Sequence, residues 1–237
     1  MNELAEILAP IIARQTAGWH EIPCPKCSRL TWTRIGKEPD CRCDFDWEAE
    51  FERRRRADFE ERIEKSLASV PSEYRDASFD LADLAKRVPL AKAVIAGTET
   101  GLGRVILLGP AGTGKTTLAV CMARLWATGM DGLFRFFHAY RLGVARAQIP
   151  LGEGEAPYVE SAMNYHIAII DDVGQERKTQ HNAVPDVIFE RHAEGLPTIY
   201  TTGFREDELA KEYGDGIARR LFERATVIRL TGKGGQL

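Results

Sequence analysis

The sequence predicts an α/β fold: a five-stranded parallel sheet covered by helices on both faces, with a small separate module ahead of it. Three observations carry this. Short apolar runs alternate with helical stretches from residue 105 to residue 230, the pattern of a parallel sheet whose crossovers are helices. One run, Val105-Ile-Leu-Leu108, leads into a glycine-rich loop and then a helical stretch, Leu118 to Trp126. Four of the five cysteines fall in two close pairs upstream of all these elements.

The 237 residues give room for one medium domain and a small one. A hydrophobic content of 44% with 28% charged residues suits a soluble globular chain. No apolar run approaches the roughly 20 residues that span a bilayer. The start, Met1-Asn-Glu-Leu-Ala-Glu6, lacks the basic region of a signal peptide. The expectation is a cytoplasmic protein without membrane contact. A net charge of −3 excludes a global basic field, so any nucleic-acid contact has to come from a local patch.

Taken in order, Leu4, Ile7, Leu8, Ile11 and Ile12 repeat at helical spacing, with Pro10 kinking that helix or starting a second. This face covers the core of the small module or, less favourably, docks on a partner helix. Cys24-Pro-Lys-Cys27 and Cys41-Arg-Cys43 follow, separated by 13 residues. Four thiolates in two close pairs can close a tetrahedral Zn²⁺ site, with His20 an alternative ligand. Cysteines in a reducing compartment point to metal before disulfides. A module of this size lacks a sufficient apolar core, so metal would supply its folding energy. Four sulfur ligands leave no open position, which makes the site structural. Between the pairs Leu30-Thr-Trp-Thr-Arg-Ile35 alternates as a short strand, and Gly36 supplies a turn.

Glu48 to Leu67 reads as a charged helix with acid-before-base pairs Glu50/Arg54, Glu52/Arg56, Asp58/Arg62 and Glu61/Lys65. Phe51, Phe59, Ile63 and Leu67 share one stripe. Arg53 to Arg56 could touch phosphates, but six acids balance six bases between Glu50 and Lys65, which favours a solvated face. Pro71 ends this region. The expected division is a module over 1–68, a linker over 69–80 and the α/β domain over 81–237, opened by a helix from Leu81 to Ala96.

Gly109-Pro-Ala-Gly-Thr-Gly-Lys-Thr-Thr117 has the form G-x-x-x-x-G-K-T. Its strand–loop–helix setting is the context that a phosphate-cradling P-loop requires. Gly112 and Gly114 let backbone N–H groups curl around phosphate oxygens, and the helix N-terminus behind them favours the anion. Lys115 can reach the β- and γ-phosphates, and Thr116 can bind Mg²⁺. Gly109, Pro110, Ala111, Gly112, Thr113, Gly114, Lys115, Thr116 and Thr117 together form the candidate cradle for ATP.

Gly132 to His138 reads as the second strand, and Leu142 to Gln148 as a short helix. Ile149 to Ala156 reads as a loop. His166-Ile-Ala-Ile-Ile-Asp-Asp-Val173 is a buried strand ending in two carboxylates. Asp171 falls where a Walker B Asp holds the Mg²⁺ shell, and Asp172 where such ATPases orient the attacking water. Ala183 to Ala193 is helical, Pro197 to Gly203 is the fourth strand, Glu206 to Lys211 and Ile217 to Arg224 are helices, and Thr226 to Leu230 is the fifth strand. Thr231 to Leu237 reads as a flexible tail. Cys121 sits among apolar residues of the P-loop helix as inert core.

From about Pro71 to Leu230 the chain resembles AAA+ ATPases of the DnaC/DnaI helicase-loader and IstB group. The resemblance rests on Tyr74-Arg-Asp-Ala-Ser-Phe79, Gly109–Thr117, Ile169-Ile-Asp-Asp-Val-Gly174, Gly195-Leu-Pro-Thr-Ile-Tyr-Thr-Thr202 and Tyr213-Gly-Asp-Gly-Ile-Ala-Arg-Arg-Leu221. It implies a five-stranded AAA+ sheet without a C-terminal lid, and self-assembly into a homo-oligomer on ATP and DNA. It also implies an arginine finger reaching a neighbouring subunit, best matched by Arg220, then Arg219, then Arg224. The polar sensor of the fourth strand is expected at Thr201–Gly203. Relatives commonly carry Asn where Gly203 stands, and Thr202 is the substitute. Loaders of the DnaI kind bear a zinc-binding N-terminal domain that contacts the replicative helicase. The implied function is ATP-dependent loading of a DnaB-like helicase onto single-stranded DNA, with slow or partner-stimulated hydrolysis. The alternative is an IstB-like ATPase acting on duplex DNA in transposition. Arg135 within the second strand and Tyr140, Arg141 and Arg146 after it are the candidate DNA contacts, through stacking on bases and pairing with phosphates; the alternative, favoured here, is that they pack the sheet and solvate its helix.

Overall fold

The computed structural model describes residues 19–34, 43, 46–77, 103–130, 133–150, 152–176 and 182–230. The expected helices over 4–12 and 81–96, Cys41 and the tail over 231–237 lie outside these residues. The contacts divide the chain into two units, 1–58 and 59–237.

In the first unit, β1 (Trp19–Pro23) pairs antiparallel with β2 (Leu30–Arg34), with Trp19 opposite Arg34 and Pro23 opposite Leu30. β2 matches the alternation of Leu30 to Ile35; β1 has no such signal, because its apolar residues, Trp19 and Ile22, are three apart and Pro23 follows. The turn between the strands carries Cys24 and Cys27 and is closed by Cys24 N–H to the Arg29 carbonyl and Ser28 N–H to the Cys24 carbonyl, both 2.8 Å. Helix α1 (Trp47–Leu67) begins in this unit, where Asp46 Oδ1 accepts the Ala49 N–H at 2.9 Å, an N-terminal cap. Along it Glu50 pairs with Arg54 and Glu61 with Lys65 at the expected spacing.

The second unit is a five-stranded parallel sheet. Its strands are β3 (Arg104–Leu108), β4 (Phe134–His138), β5 (Ile167–Asp171), β6 (Thr198–Thr202) and β7 (Ala225–Arg229), in the order β4-β5-β6-β3-β7. Every residue of β5 and β6 is buried, which explains why β5 reads as an apolar run, Ile167 to Ile170, and β6 as a run of β-branched and aromatic residues, neither of them alternating polar with apolar. Alternate residues serve opposite faces. Val105, Leu107, Ile167, Ile169 and Ile199 pack with α2 (Lys115–Met130) through Leu118, Met122 and Trp126. Ile106, Ala168, Ile170 and Tyr200 face α4 (Pro157–Asn164), α5 (Val184–Ala193), α6 (Glu206–Tyr213) and α7 (Asp215–Phe222) through Val159, Ile188, Leu209 and Leu221. Helix α3 (Ala139–Ala147) starts directly where β4 stops.

Helix α4 has no counterpart in the sequence reading, which stopped at the glycines and proline of the preceding loop. Pro157 at its first position is favourable there, and Val159 and Ala162 supply the buried face. Helix α7 begins at Asp215 and ends at Phe222, so Arg224 lies beyond it in a turn with φ +56°.

The outer edge of β4 is covered. Ser66 Oγ accepts the Phe134 N–H at 3.2 Å and Ser69 Oγ accepts the Phe136 N–H at 3.0 Å. One side chain in the last turn of α1 and one just past it thus satisfy the donors a neighbouring strand would have taken. Ile63 and Leu67 pack on the same core. Among the described residues, no helix is long and apolar enough to cross a membrane.

Candidate functional site

The loop from Gly109 to Gly114 joins β3 to α2 at the carboxyl end of the sheet, where ligands bind in parallel α/β folds. Gly109 is wedged: a Cβ there would lie 2.2 Å from the Leu230 carbonyl oxygen. Its N–H bonds the Thr202 carbonyl at 3.1 Å, and Leu230 N–H bonds the Leu108 carbonyl at 2.7 Å, so the loop is pinned from both neighbouring strands. Gly112 and Gly114 turn at φ +77° and +84°, conformations that side chains disfavour. Lys115 is buried and donates to the Gly109 and Pro110 carbonyls, each at 2.8 Å. Thr113 Oγ1 also donates to the Pro110 carbonyl. The loop is thus curled about its own lysine, the shape of a cradle for phosphate oxygens.

Opposite stands Asp171 at the end of β5, 3% exposed. Its Oδ1 accepts two hydroxyls, Thr116 Oγ1 at 3.0 Å from the first turn of α2 and Thr201 Oγ1 at 2.7 Å from β6. Burial pushes the Asp171 carboxyl above the usual carboxylate range; the Thr201 hydrogen bond pulls it down and the Asp172 charge pushes it up. A buried carboxylate beside a threonine hydroxyl is a hard-oxygen donor set that fits a divalent cation such as Mg²⁺. Asp172 follows at φ +61°, its N–H bonded to Thr201 Oγ1 at 2.9 Å. A non-glycine residue held in this region is stored strain of the kind that collects at functional turns. Asp171 and Asp172 line a cavity of about 430 Å³ with His138, Tyr140, Arg141 and Gln175.

The structure thus brings Lys115, Thr116, Asp171 and Asp172 together across the carboxyl ends of β3 and β5, with β6 between. Thr202 is turned away from them. It is fully buried, its hydroxyl donates to the Val173 carbonyl at 2.7 Å, and it accepts the Phe204 N–H at 3.0 Å. The hydroxyl on this strand that reaches the carboxylate belongs to Thr201. Alternation along a strand would have separated the two, because adjacent residues face opposite sides. His138, which no sequence motif singles out, stands opposite Asp171 in the β4–β5 register with its Nδ1 3.8 Å from Asp171 Oδ2.

Arg220 is held by contacts within the chain. Its guanidinium donates to the Gly216 carbonyl at 2.9 Å and lies over the Phe189 ring, 4.9 Å from the centroid. Arg219 is exposed and lines a groove of about 900 Å³ with Asp207, Phe222 and Arg229. Of the expected DNA contacts, Arg146 is committed to Glu155 and to Asp186 at 2.6 Å, and Arg135 bonds Ser161 at 2.9 Å under the rings of Phe137, Tyr158 and Tyr165. Tyr140 and Arg141 are exposed at the cavity mouth. Cys121 is buried, which pushes its thiol up to about 11 and makes it inert.

In the first unit the Sγ atoms of Cys24, Cys27 and Cys43 lie within 4.8 Å of one another, with Cys24 and Cys43 3.4 Å apart. Thiolates about 2.3 Å from a tetrahedral zinc ion stand roughly 3.8 Å from each other, so the cluster fits such an ion. Desolvation opposes ionisation of Cys24, but the N–H groups of Cys27 and Lys26 and the neighbouring thiols outweigh it and bring the thiol down to about 6. Cys41 and the His20 side chain, the candidates for a fourth ligand, lie outside the described residues.

No protein-family model matches this sequence, and no curated protein does. Solved structures do match in fold. The crystal structure of the DnaC helicase loader is 18% identical with a TM-score of 0.56, covering 68% of this chain and 99% of that one. The crystal structure of DnaI is 20% identical with a TM-score of 0.56, covering 70% and 94%. A candidate primosome component from Streptococcus pyogenes serotype M3 is 19% identical with a TM-score of 0.54, covering 71% and 93%. At these identities the likeness is one of architecture: the chain shares the five-stranded parallel α/β fold of the DnaC and DnaI structures.

Proposed function

We propose that the chain is an ATP-switched assembly factor of replication initiation, an AAA+ ATPase that loads a DnaB-like replicative helicase onto single-stranded DNA. The observation that carries the nucleotide reading is Asp171, buried and bonded at one oxygen by hydroxyls from both the P-loop helix and β6. The fold shared with the DnaC helicase loader and DnaI supports the replication reading.

Gly109 to Thr117 would hold the triphosphate of ATP, and Thr116 and Asp171 the Mg²⁺ shell. When bound, the ion neutralises charge that develops on the β- and γ-phosphate oxygens. Lys115 exchanges the Gly109 and Pro110 carbonyls for phosphate oxygens, so the cradle opens without exposing a bare cation. Thr201 favours the ionised form of Asp171 against its burial and orients the carboxyl while holding the Asp172 backbone. Asp172 orients the attacking water from the cavity wall. Arg220 leaves Phe189 for the γ-phosphate of a neighbouring copy, so turnover belongs to a homo-oligomer. The cysteine module binds Zn²⁺ as a structural ion and grips the helicase.

Size-exclusion chromatography of the full chain with its cognate replicative helicase, ATP and single-stranded DNA tests the reading. A ternary complex that Lys115→Ala abolishes is expected. Absence of any complex, with ATP binding intact, would overturn the loader role and leave the nucleotide site standing.

A further inference from the structure

We infer that Tyr213 is a positioning residue that ties the turn after Asp172 to the arginine helix α7, through Glu176. The inference deepens the intersubunit ATPase reading and rests on it.

Gly174, two residues beyond Asp172, donates its N–H to both Glu176 Oε2 at 2.9 Å and Tyr213 Oη at 2.8 Å, and Tyr213 donates its own hydroxyl to Glu176 Oε1. Three polar groups close a ring in a half-dry setting. Glu176 is 8% exposed, and burial together with its charge pushes the Tyr213 hydroxyl well above the phenolic range, so the proton stays on the phenol. Packing alone does not require this arrangement: a phenylalanine at 213 and an apolar residue at 176 would fill the same space without burying a carboxylate. What the ring does accomplish is attachment. Gly174 at φ +92° is wedged against Phe204 and Leu209, where a Cβ would lie 2.7 Å and 2.9 Å from side-chain carbons. The turn therefore cannot shift without moving what it touches.

At the other end of the ring the connection to α7 is short. Tyr213 is the last residue of α6. Gly214, at φ +84°, ends that helix and starts the next, and its carbonyl takes the Ile217 and Ala218 N–H groups at 3.2 and 3.1 Å. One residue thus separates the anchored phenol from the helix that carries Arg219 and Arg220. On the nucleotide side, Asp171 and the Asp172 N–H share the Thr201 hydroxyl. An unbroken sequence of contacts runs from the metal carboxylate to the base of the arginine helix. Its effect is to make the delivery of Arg220 to one neighbour depend on the state of the site facing the other.

Steady-state ATPase assays on full-length Tyr213→Phe, Arg220→Ala and the double variant, with thermal melts of each, test this. Tyr213→Phe should lower kcat about tenfold and leave KM within about twofold. In the Arg220→Ala background it should cost nothing further in kcat, while lowering Tm by the same amount as in wild type. A structural role alone would give the same fold loss of kcat in both backgrounds, and that outcome overturns the inference, as does a wild-type kcat for Tyr213→Phe. If Arg220→Ala leaves kcat unchanged, the same comparison is made with Arg219→Ala, and wild-type kcat for both arginine variants also overturns it. Should Tyr213→Phe fail to fold, Glu176→Gln, which keeps the acceptor for the phenol, replaces it with the same expected pattern. A wild-type chain that binds no ATP would instead sink the ATPase reading itself.

Discussion

Thr201 and Asp171 are joined by a 2.7 Å hydrogen bond between adjacent strands, and the same hydroxyl accepts the Asp172 N–H at 2.9 Å. One side chain therefore serves the carboxylate that would hold the metal and the backbone of the residue that would position water. Thr201→Val keeps the shape and removes both bonds. The expected stability cost is about 1–3 kcal/mol, read by urea unfolding. ATP turnover should fall at least tenfold with little change in ATP affinity. Thr202→Val should cost comparable stability, through Val173 and Phe204, and leave turnover per folded molecule near wild type.

Gly109→Ala tests the wedge between β3 and β7. The added methyl meets the Leu230 backbone oxygen, which has no rotamer with which to retreat. A loss of about 1–3 kcal/mol is expected from overpacking, seen as a lower urea midpoint, together with weakened ATP binding as the loop is pushed off β7.

Arg191 is completely buried, and its guanidinium bonds Thr198 Oγ1 and the carbonyls of Ala162, Met163, Tyr165 and Pro197. Three of these close the C-terminal end of α4, where a cation is favoured. Burial lowers its pKa to about 10, still charged at neutral pH. Arg191→Met orphans those carbonyls and should destabilise by about 3–5 kcal/mol in chemical denaturation. Lysine should not rescue, because one ammonium cannot span the fork of acceptors.

Glu155 supplies a pH limb. The Arg146 guanidinium holds its carboxyl below the ordinary value of 4.5. A depressed folded pKa means the ion pair stabilises the fold above pH 4.5, and the contribution is lost as pH falls through the lower, folded value. Melts of Glu155→Gln against wild type should differ near neutrality and converge in acid. A constant difference at all pH values would show that Arg146 is satisfied by Asp186 alone.

Zinc removal separates the two units. Purified protein should carry about one zinc ion per chain by atomic absorption. Cys24→Ser should lose it and lower helicase binding, while Lys115-dependent ATP binding persists. An ion-free wild type that still binds helicase would refute the metal requirement.

The sheet was legible because β5 and β6 are buried on both faces, so Ile167–Ile170 and Thr198–Thr202 betray themselves by composition. The P-loop and the Asp pair were legible because each needs specific residues at fixed spacing. Helix α4 was not, since eight residues after a glycine-bearing loop offer only about two turns of periodicity. The choice of Thr201 over Thr202 within the expected Thr201–Gly203 stretch, and the place of His138, were hidden for another reason. Both arise from register between strands distant in sequence, and register follows from the assembled sheet and not from any local pattern. Arg146 and Arg135 looked available for DNA because charge counts say nothing of partners such as Glu155 and Ser161 that the fold brings alongside.

The two serines at the foot of α1 have a practical bearing on where this protein can be cut. Ser66 and Ser69 occupy the donors of β4, and Ile63 and Leu67 lie on its core. A chain begun at residue 69 would strip Ser66 and that apolar cover, leaving a raw strand margin open to pairing with another molecule. Aggregates of such a fragment would mimic a failure to bind helicase. A fragment begun ahead of Phe59 keeps the seal, and with it the meaning of any experiment that asks what the cysteine module contributes.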